Sequence, residues 1–350
     1  MAFQVTLAPS GRTFTVEPGE KILAAGLGAN LAMPYGCRMG CCRSCRGKVV
    51  EGKVDLGAVV DSYLPQAQRD MGYALLCQAE PLSDVVIEVQ ELDLTQIKPR
   101  KLPSLLKRIR KPAPDVAALD LRLPVNEPLS FAAGQYIDIL LPDGKRRSYS
   151  IANPPSIEGV IDIQLHVRHI PGGAFTDRLF TAAKAGEVIW FEGPLGTFYW
   201  REQSEKPMIL VASGTGYAPI RAIIRQALEK NSSRPMTLYW GCRTLRDLYF
   251  LEEPQLLAQR YPQLKFVPVL SEPAPDDEWH GRIGFVHRAV MEDLPDLSGH
   301  QVYACGAPAM VDAAREEFTA ACGLPEEEFF ADSFITASEA AGRERLAAAT

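Results

Sequence analysis

Pro34-Tyr35-Gly36-Cys37-Arg38-Met39-Gly40-Cys41-Cys42-Arg43-Ser44-Cys45 is the stretch on which the reading of this chain turns. Cys37, Cys42 and Cys45 stand in the order C-x4-C-x2-C, and a further cysteine, Cys77, follows 32 residues after Cys45. Thiolates are soft anions that hold iron strongly, and two irons bridged by two sulfides take four of them. Three must then come from one short loop, where glycines let the backbone turn tightly and aim N–H groups at sulfur. Cys77 closes the set from a distance. Zinc fits less well, because zinc sites pair two short C-x2-C hooks and this chain offers one. Cys41 adjoins a ligand and competes for its place, but only Cys42 preserves both intervals at once.

The rest of the chain sets the context. With 350 residues and a hydrophobic fraction of 47%, two or three folded domains are expected. No basic start, apolar core and cleavage site mark the sequence for export, so the expected compartment is the cytoplasm, where disulfides are rare. No apolar run reaches the ~18 to 20 residues that cross a bilayer. A formal charge of −6 argues against nucleic acid as a partner. The local exception is the basic run Lys98 to Lys111, read as a linker and first strand in preference to a docking patch for an acidic partner.

Alternating residues 2 to 16 predict two strands around Ser10-Gly11, residues 19 to 29 a helix, and Val85 to Val89 a closing strand. The cysteine loop is thus bracketed in a small α+β domain. Short strands separated by turns such as Pro142-Asp143-Gly144 run from about residue 104 to 200, the pattern of a small β-barrel. From Pro207 strands and helices alternate. Met208 to Ala212, Met236 to Trp240, Lys265 to Leu270 and Gln301 to Cys305 read as strands, with helices at Pro219 to Lys230 and Glu253 to Tyr261, which predicts a parallel sheet. The expected domains are 1–93, 104–202 and 203–337, with a linker at 94–103 and a frayed tail at 338–350.

Two motifs in the barrel point to a flavin. Arg147-Ser148-Tyr149-Ser150 offers a forked cation for phosphate, a flat ring and a hydroxyl. Gly172-Gly173-Ala174-Phe175-Thr176 then opens a helix whose N–H groups can meet a second phosphate. Gly214-Thr215-Gly216-Tyr217-Ala218-Pro219 follows a buried strand and precedes a helix, so it can cradle a dinucleotide pyrophosphate. Tyr303-Ala304-Cys305-Gly306-Ala307-Pro308-Ala309-Met310 forms a third segment. His166 reads as structural, Arg168 equally as a cofactor contact or a solvent-facing arginine, and Cys242 and Cys322 as core cysteines.

Together these segments resemble the ferredoxin–NADP reductase superfamily fused to a plant-type [2Fe–2S] ferredoxin. The resemblance spans nearly the whole chain. It implies a multidomain α+β and α/β fold: an N-terminal β-grasp ferredoxin domain, a six-stranded antiparallel flavin-binding β-barrel and a C-terminal parallel α/β nucleotide-binding domain. By the same resemblance Arg147 holds the FAD pyrophosphate, Tyr149 packs on the flavin, Ser150 lies near its reactive nitrogen and Thr176 binds phosphate, with Gly172 and Gly173 before it. Gly214, Thr215, Gly216 and Pro219 bind the nucleotide, Cys305 lies at the hydride-transfer locus, and Asp332 and Phe334 cover the flavin. The segment Trp240 to Tyr249 resembles NADH-dependent members; Arg243 and Arg246 would favour a 2′-phosphate and Asp247 oppose it. Arg43 stands where related cluster loops carry glycine, which costs about 1–2 kcal/mol if φ is positive there.

The class implied is an oxidoreductase that receives a hydride from NADH, holds FAD and a [2Fe–2S] cluster, and releases single electrons to a partner. The order of domains resembles the reductase components of bacterial aromatic-ring oxygenases. It equally resembles the reductase of CDP-6-deoxyhexulose (glucoseen) deoxysugar synthesis, through Gly72-Tyr73-Ala74-Leu75-Leu76-Cys77. A terminal oxygenase is the first expected partner, the deoxysugar dehydrase the alternative, and a monomer the expected state.

Overall fold

The structure, a computed structural model, describes residues 2–92 and 97–335. Of these, 2–92, 97 and 332–335 form one compact unit and 98–331 another. Residue 93 at the end of the first expected domain, residues 94–96 of the expected linker and the expected tail lie outside the described residues.

The first unit contains β1 (Phe3–Ala8), β2 (Thr13–Val16), α1 (Ile22–Gly28), β3 (Arg46–Glu51), β4 (Val54–Asp55), α2 (Gln66–Asp70), β5 (Tyr73–Leu75), β6 (Glu80–Pro81) and β7 (Val85–Glu88). Its main sheet has the order β2-β1-β7-β3-β5, with β1 and β7 parallel and the other neighbours antiparallel. Alternation buries Val5 and Leu7 against the helix side, where Ile22 and Leu23 are also enclosed. Helix α1 starts three residues later than its pattern suggested, because Pro18-Gly19 is spent on a turn with Gly19 at φ +81°.

The second unit opens on β8 (Arg100–Ala113), β9 (Val116–Arg122), β10 (Tyr136–Leu140), β11 (Arg146–Ser150), β12 (Asp162–Arg168), α3 (Ala174–Thr181) and β13 (Val188–Leu195). Their order is β11-β10-β13-β8-β9-β12, antiparallel throughout, around a core that includes Leu119, Ile137, Ile163 and Phe191. A single bridge, Ile151 to Leu165, joins the chain just after β11 to β12. Strand β8 starts at Arg100, inside the stretch expected to be linker, because residues 100–105 pair with β13. The basic run is this strand. Arg100 pairs with Glu127, Arg108 and Arg110 with Asp120, and Lys107 with Asp162.

The same unit continues with β14 (Met208–Ser213), α4 (Tyr217–Glu229), β15 (Met236–Cys242), α5 (Glu252–Arg260), β16 (Leu264–Leu270), β17 (Arg282–Ile283), α6 (Val286–Asp293), β18 (Gln301–Gly306), α7 (Pro308–Ala321) and residues 329–331 of β19 (Phe329–Ser333). The sheet order is β17-β16-β15-β14-β18-β19, and the pairs from β17 to β18 are parallel. Strands β14 and β18 are buried along nearly their whole length, as central parallel strands must be. Helix α4 begins two residues ahead of Pro219, a position in the first turn where the missing N–H has no intrahelical partner to lose. Among the described residues, no helix is long and apolar enough to cross a membrane.

Candidate functional site

The cysteine loop is irregular backbone between α1 and β3. Antiparallel pairing of Arg46 with Leu75 brings its far cysteine home: Leu76 N–H donates to the Cys45 carbonyl at 3.0 Å, so Cys45 and Cys77 lie at adjacent ladder ends. Positive φ angles at Arg38 (57°), Gly40 (72°) and Arg43 (61°) curl the loop inward. The Cys37 N–H points at Cys42 Sγ at 3.4 Å, and the Met39 N–H at Cys37 Sγ at 3.3 Å.

The thiols meet in pairs. Cys45 is raised by its hydrogen bond with Cys77, which is lowered by the same bond. Cys42 is raised by its bond with Cys37, and Cys37 is pushed up to about 12, first by Cys41 and then with burial adding. Among the described residues no three ligand-type side chains close on a single ion. Two pairs, Cys37 with Cys42 and Cys45 with Cys77, suit two irons better than one metal ion. Donor chemistry, backbone N–H groups aimed at sulfur and near-complete burial of Cys42, Cys45 and Cys77 all fit a [2Fe–2S] cluster.

Arg43 does adopt the left-handed conformation, and its guanidinium donates to the Ser62 carbonyl. Arg43→Gly therefore relieves about 1–2 kcal/mol of backbone strain but loses about 1 kcal/mol of hydrogen bond. Its cluster should melt, by visible absorption, within a few degrees of the parent. Arg43→Val, a β-branched residue at the same φ, should melt clearly lower.

In the second unit, the β10–β11 hairpin presents Arg147 and Tyr149 on one face of β11. The Tyr149 ring lies 5.5 Å from that of Phe175, the second residue of α3, so the two flavin motifs are brought together. Arg147 donates to the Arg146 carbonyl at 2.7 Å. Ser150 is buried, and its hydroxyl has no hydrogen-bond partner among the described residues. A buried orphan hydroxyl at the end of β11 is what a flavin ring nitrogen would satisfy. Gly173 has no room for a side chain, since a Cβ would stand 2.5 Å from Thr176 Oγ1. The Thr176 hydroxyl itself donates to the Ile170 carbonyl at 2.9 Å, so it shapes the turn.

The nucleotide turn is built by two neighbouring strands. Parallel pairing of Ala212 with Cys305 sets Gly214-Thr215-Gly216 beside Cys305-Gly306 at the carboxyl ends of β14 and β18. A Cβ on Gly216 would lie 2.1 Å from the Cys305 carbonyl oxygen, and one on Gly306 2.2 Å from Ser213 Oγ. Ser213 accepts the Ala307 N–H at 2.8 Å, and the Trp240 indole donates to the Gly214 carbonyl at 3.0 Å. Tyr217 stacks on Trp240 at 4.1 Å. Cys305 is wholly buried. This backbone cradle at a helix N-terminus fits a dinucleotide pyrophosphate.

Arg168 proves to be partly buried, paired with Asp115 at 3.4 Å and lying over Gly214, whose Cβ would be 3.2 Å from its guanidinium. Cys322 belongs to the core, but Cys242 is only partly buried and donates to the Asp247 carbonyl at 3.3 Å, which corrects its reading as a core cysteine. Asp332 is buried at the end of β19 and burial pushes its carboxyl up to about 7; Phe334 follows, half-buried. Sequence reasoning missed Ser213 and Trp240, since no motif marks a side chain that holds a loop from a neighbouring strand.

His166 is structural. Gln164 donates its amide to Asp120 at 2.7 Å, which leaves its oxygen to accept His166 Nε2–H at 3.1 Å and Nδ1 to accept the Tyr249 hydroxyl at 2.9 Å. Burial, with Arg221 and Arg110 nearby, holds His166 well below its ordinary 6.5. The unfolded chain therefore gains a proton that the folded chain refuses, and stability is lost as pH falls below about 6.5, by up to ~1.4 kcal/mol per unit. Thermal melts of the flavin-bearing unit between pH 7.5 and about 5 should show this slope, and His166→Asn should flatten it.

This fold and these sites define a flavin- and nicotinamide-dependent oxidoreductase with an iron–sulfur domain. Residues 5–82 match the family model of the 2Fe-2S iron-sulfur cluster binding domain, 104–200 that of the oxidoreductase FAD-binding domain and 210–316 that of the oxidoreductase NAD-binding domain. The chain is 38% identical over 336 residues to the CDP-6-deoxy-L-threo-D-glycero-4-hexulose-3-dehydrase reductase of Yersinia pseudotuberculosis, covering 96% of this chain and 99% of that one. It is 35% identical over 348 residues to the phenol 2-monooxygenase reductase component DmpP of a Pseudomonas species, covering 98% and 97%. The crystal structure of the Amycolatopsis cytochrome P-450 reductase GcoB superposes with a TM-score of 0.74 at 35% identity, covering 95% and 98%. The chain belongs to the single-chain iron–sulfur flavoprotein reductases of the ferredoxin–NADP reductase superfamily.

Proposed function

We propose that the chain takes a hydride from NADH and delivers single electrons to a terminal oxygenase component, aromatic-ring hydroxylating or demethylating. The observation that carries this is the union, in one chain, of a two-electron entry, the Gly216–Cys305 cradle with the orphan Ser150 in the same unit, and a one-electron exit at paired buried thiols. A flavin exchanges electrons in twos or ones and so joins a nicotinamide to an iron–sulfur centre. Arg147, Tyr149, Gly172, Gly173 and Thr176 bind FAD in this reading, and Thr215 and Pro219 help seat the nucleotide. The Ile151–Leu165 bridge supports closure of the flavin sheet into a barrel. NADH is favoured over NADPH because Asp247, fixed by the Thr244 N–H and hydroxyl at 3.0 Å, sets a carboxylate after β15, where a 2′-phosphate would lie. Supply of NADH favours the cytoplasm, and a monomer suits a shuttle. The domains in this reading are those expected, 1–93, 104–202 and 203–337, with β8 extending the second back to residue 100.

The names of the Pseudomonas and Amycolatopsis relatives support an oxygenase as acceptor. The Yersinia relative, at 38% identity, supports a deoxysugar dehydrase as the second reading. An anaerobic NADH titration should bleach the flavin and raise the electron paramagnetic resonance signal of a reduced [2Fe–2S] cluster; a silent cluster overturns the route. Reconstitution with a phenol-hydroxylating oxygenase, a haem oxygenase and the deoxysugar dehydrase then separates acceptors. Product from the dehydrase alone, without oxygen, would establish the second reading.

A further inference from the structure

We propose that Cys41 is a reserve ligand for the iron that Cys37 holds. The inference rests on the four-cysteine cluster proposed above and adds a fifth thiol to it. Cys41 Sγ lies 3.3 Å from Cys37 Sγ, and Cys41 is only 2% exposed. Two thiolates on one tetrahedral metal, with bonds of about 2.3 Å, stand roughly 3.8 Å apart, so the Cys41 sulfur already lies within the spacing of a shared metal.

The position of Cys41 is selective. Of the four ligands, Cys37 alone is incompletely buried, while Cys42, Cys45 and Cys77 are enclosed. The ligand open to water is therefore the one with a spare beside it. The local chain explains why: positive φ at Arg38 and Gly40 reverses the backbone between Cys37 and Cys41 and turns both side chains to the same place. A small buried filler would serve as well as alanine or serine at this position, and neither could bind iron as a thiolate does.

The exchange balances without a redox partner. The iron–sulfur bond to Cys37 breaks and one to Cys41 forms, while the Cys41 thiol proton passes to the departing Cys37 thiolate. Cluster charge and electron count are unchanged. Once Cys37 has gone, the four thiolates are Cys41, Cys42, Cys45 and Cys77, with the whole set now buried.

The test uses the full chain. Iron and acid-labile sulfide per FAD, with the resonance spectrum after dithionite reduction, are compared in Cys37→Ala, Cys37→Ala/Cys41→Ala and Cys45→Ala. The expected result is a cluster retained in Cys37→Ala with a spectrum of all-sulfur ligation, and lost in the double variant and in Cys45→Ala. Loss in Cys37→Ala with FAD still bound overturns the proposal, as does retention in the double variant. Retention in Cys45→Ala would instead overturn the four-cysteine ligand set, and the exchange with it. Should Cys37→Ala fail to fold, Cys41→Ala and Cys41→Ser decide the matter: both should lose iron to a chelator faster than the parent, and unchanged rates overturn the reserve role.

Discussion

Cys45→Ala is expected to yield a chain that still accepts electrons from NADH into its flavin but no longer reduces cytochrome c. Cys45 is buried, stands at the end of the β3–β5 ladder against Cys77 and lies away from the solvent edge of the loop. Removing it strips one of two thiolates from one iron, and alanine offers nothing in exchange. Ferricyanide, which can draw electrons from a reduced flavin directly, should be reduced at the parental rate. Stopped-flow bleaching of the flavin by NADH separates the two halves of the route. Persistence of cytochrome c reduction would show that single electrons leave from the flavin and that the cysteine loop is not the exit.

Gly216→Ala is expected to act at the other end. The added methyl carbon would stand 2.1 Å from the Cys305 carbonyl oxygen, a distance no backbone contact tolerates, so the two turns must part. Displacement of about 1 Å in reacting geometry costs on the order of a hundredfold in rate. Flavin reduction by NADH should slow by about that factor, while FAD content and reduction by dithionite stay unchanged. A parental NADH rate would mean that the nucleotide does not use the Gly216–Cys305 cradle.

The elements most legible in the sequence were those whose signal is local. Buried strands such as Met208–Ser213 and Gln301–Gly306 declare themselves as apolar runs followed by glycine turns, and the cysteine spacing declares the cluster loop. Arg43 was readable as a residue under backbone strain because its neighbours fixed what the loop had to do. What was not legible depends on partners remote in sequence. Nothing near Arg100 reveals that β13 will pair with it, so a strand looked like a linker. Trp240 and Ser213 look like ordinary strand residues until Gly214 and Ala307 are set beside them. Arg168 could be placed only once the nucleotide turn lay against its strand.

The polar ties inside the second unit bear on how such chains can be recombined. His166 and Tyr249, Arg221 and the Ala152 carbonyl, and the Arg201 N–H and the Tyr303 hydroxyl each join the flavin half to the nucleotide half, the first of them through a buried histidine. A chimaera spliced near residue 203, with the flavin half from one homologue and the nucleotide half from another, would have to rebuild all three at once. Residues 98–331 are thus a single heritable block, and exchange of nicotinamide preference between relatives is more readily achieved by point substitution around Asp247 than by grafting a whole nucleotide domain.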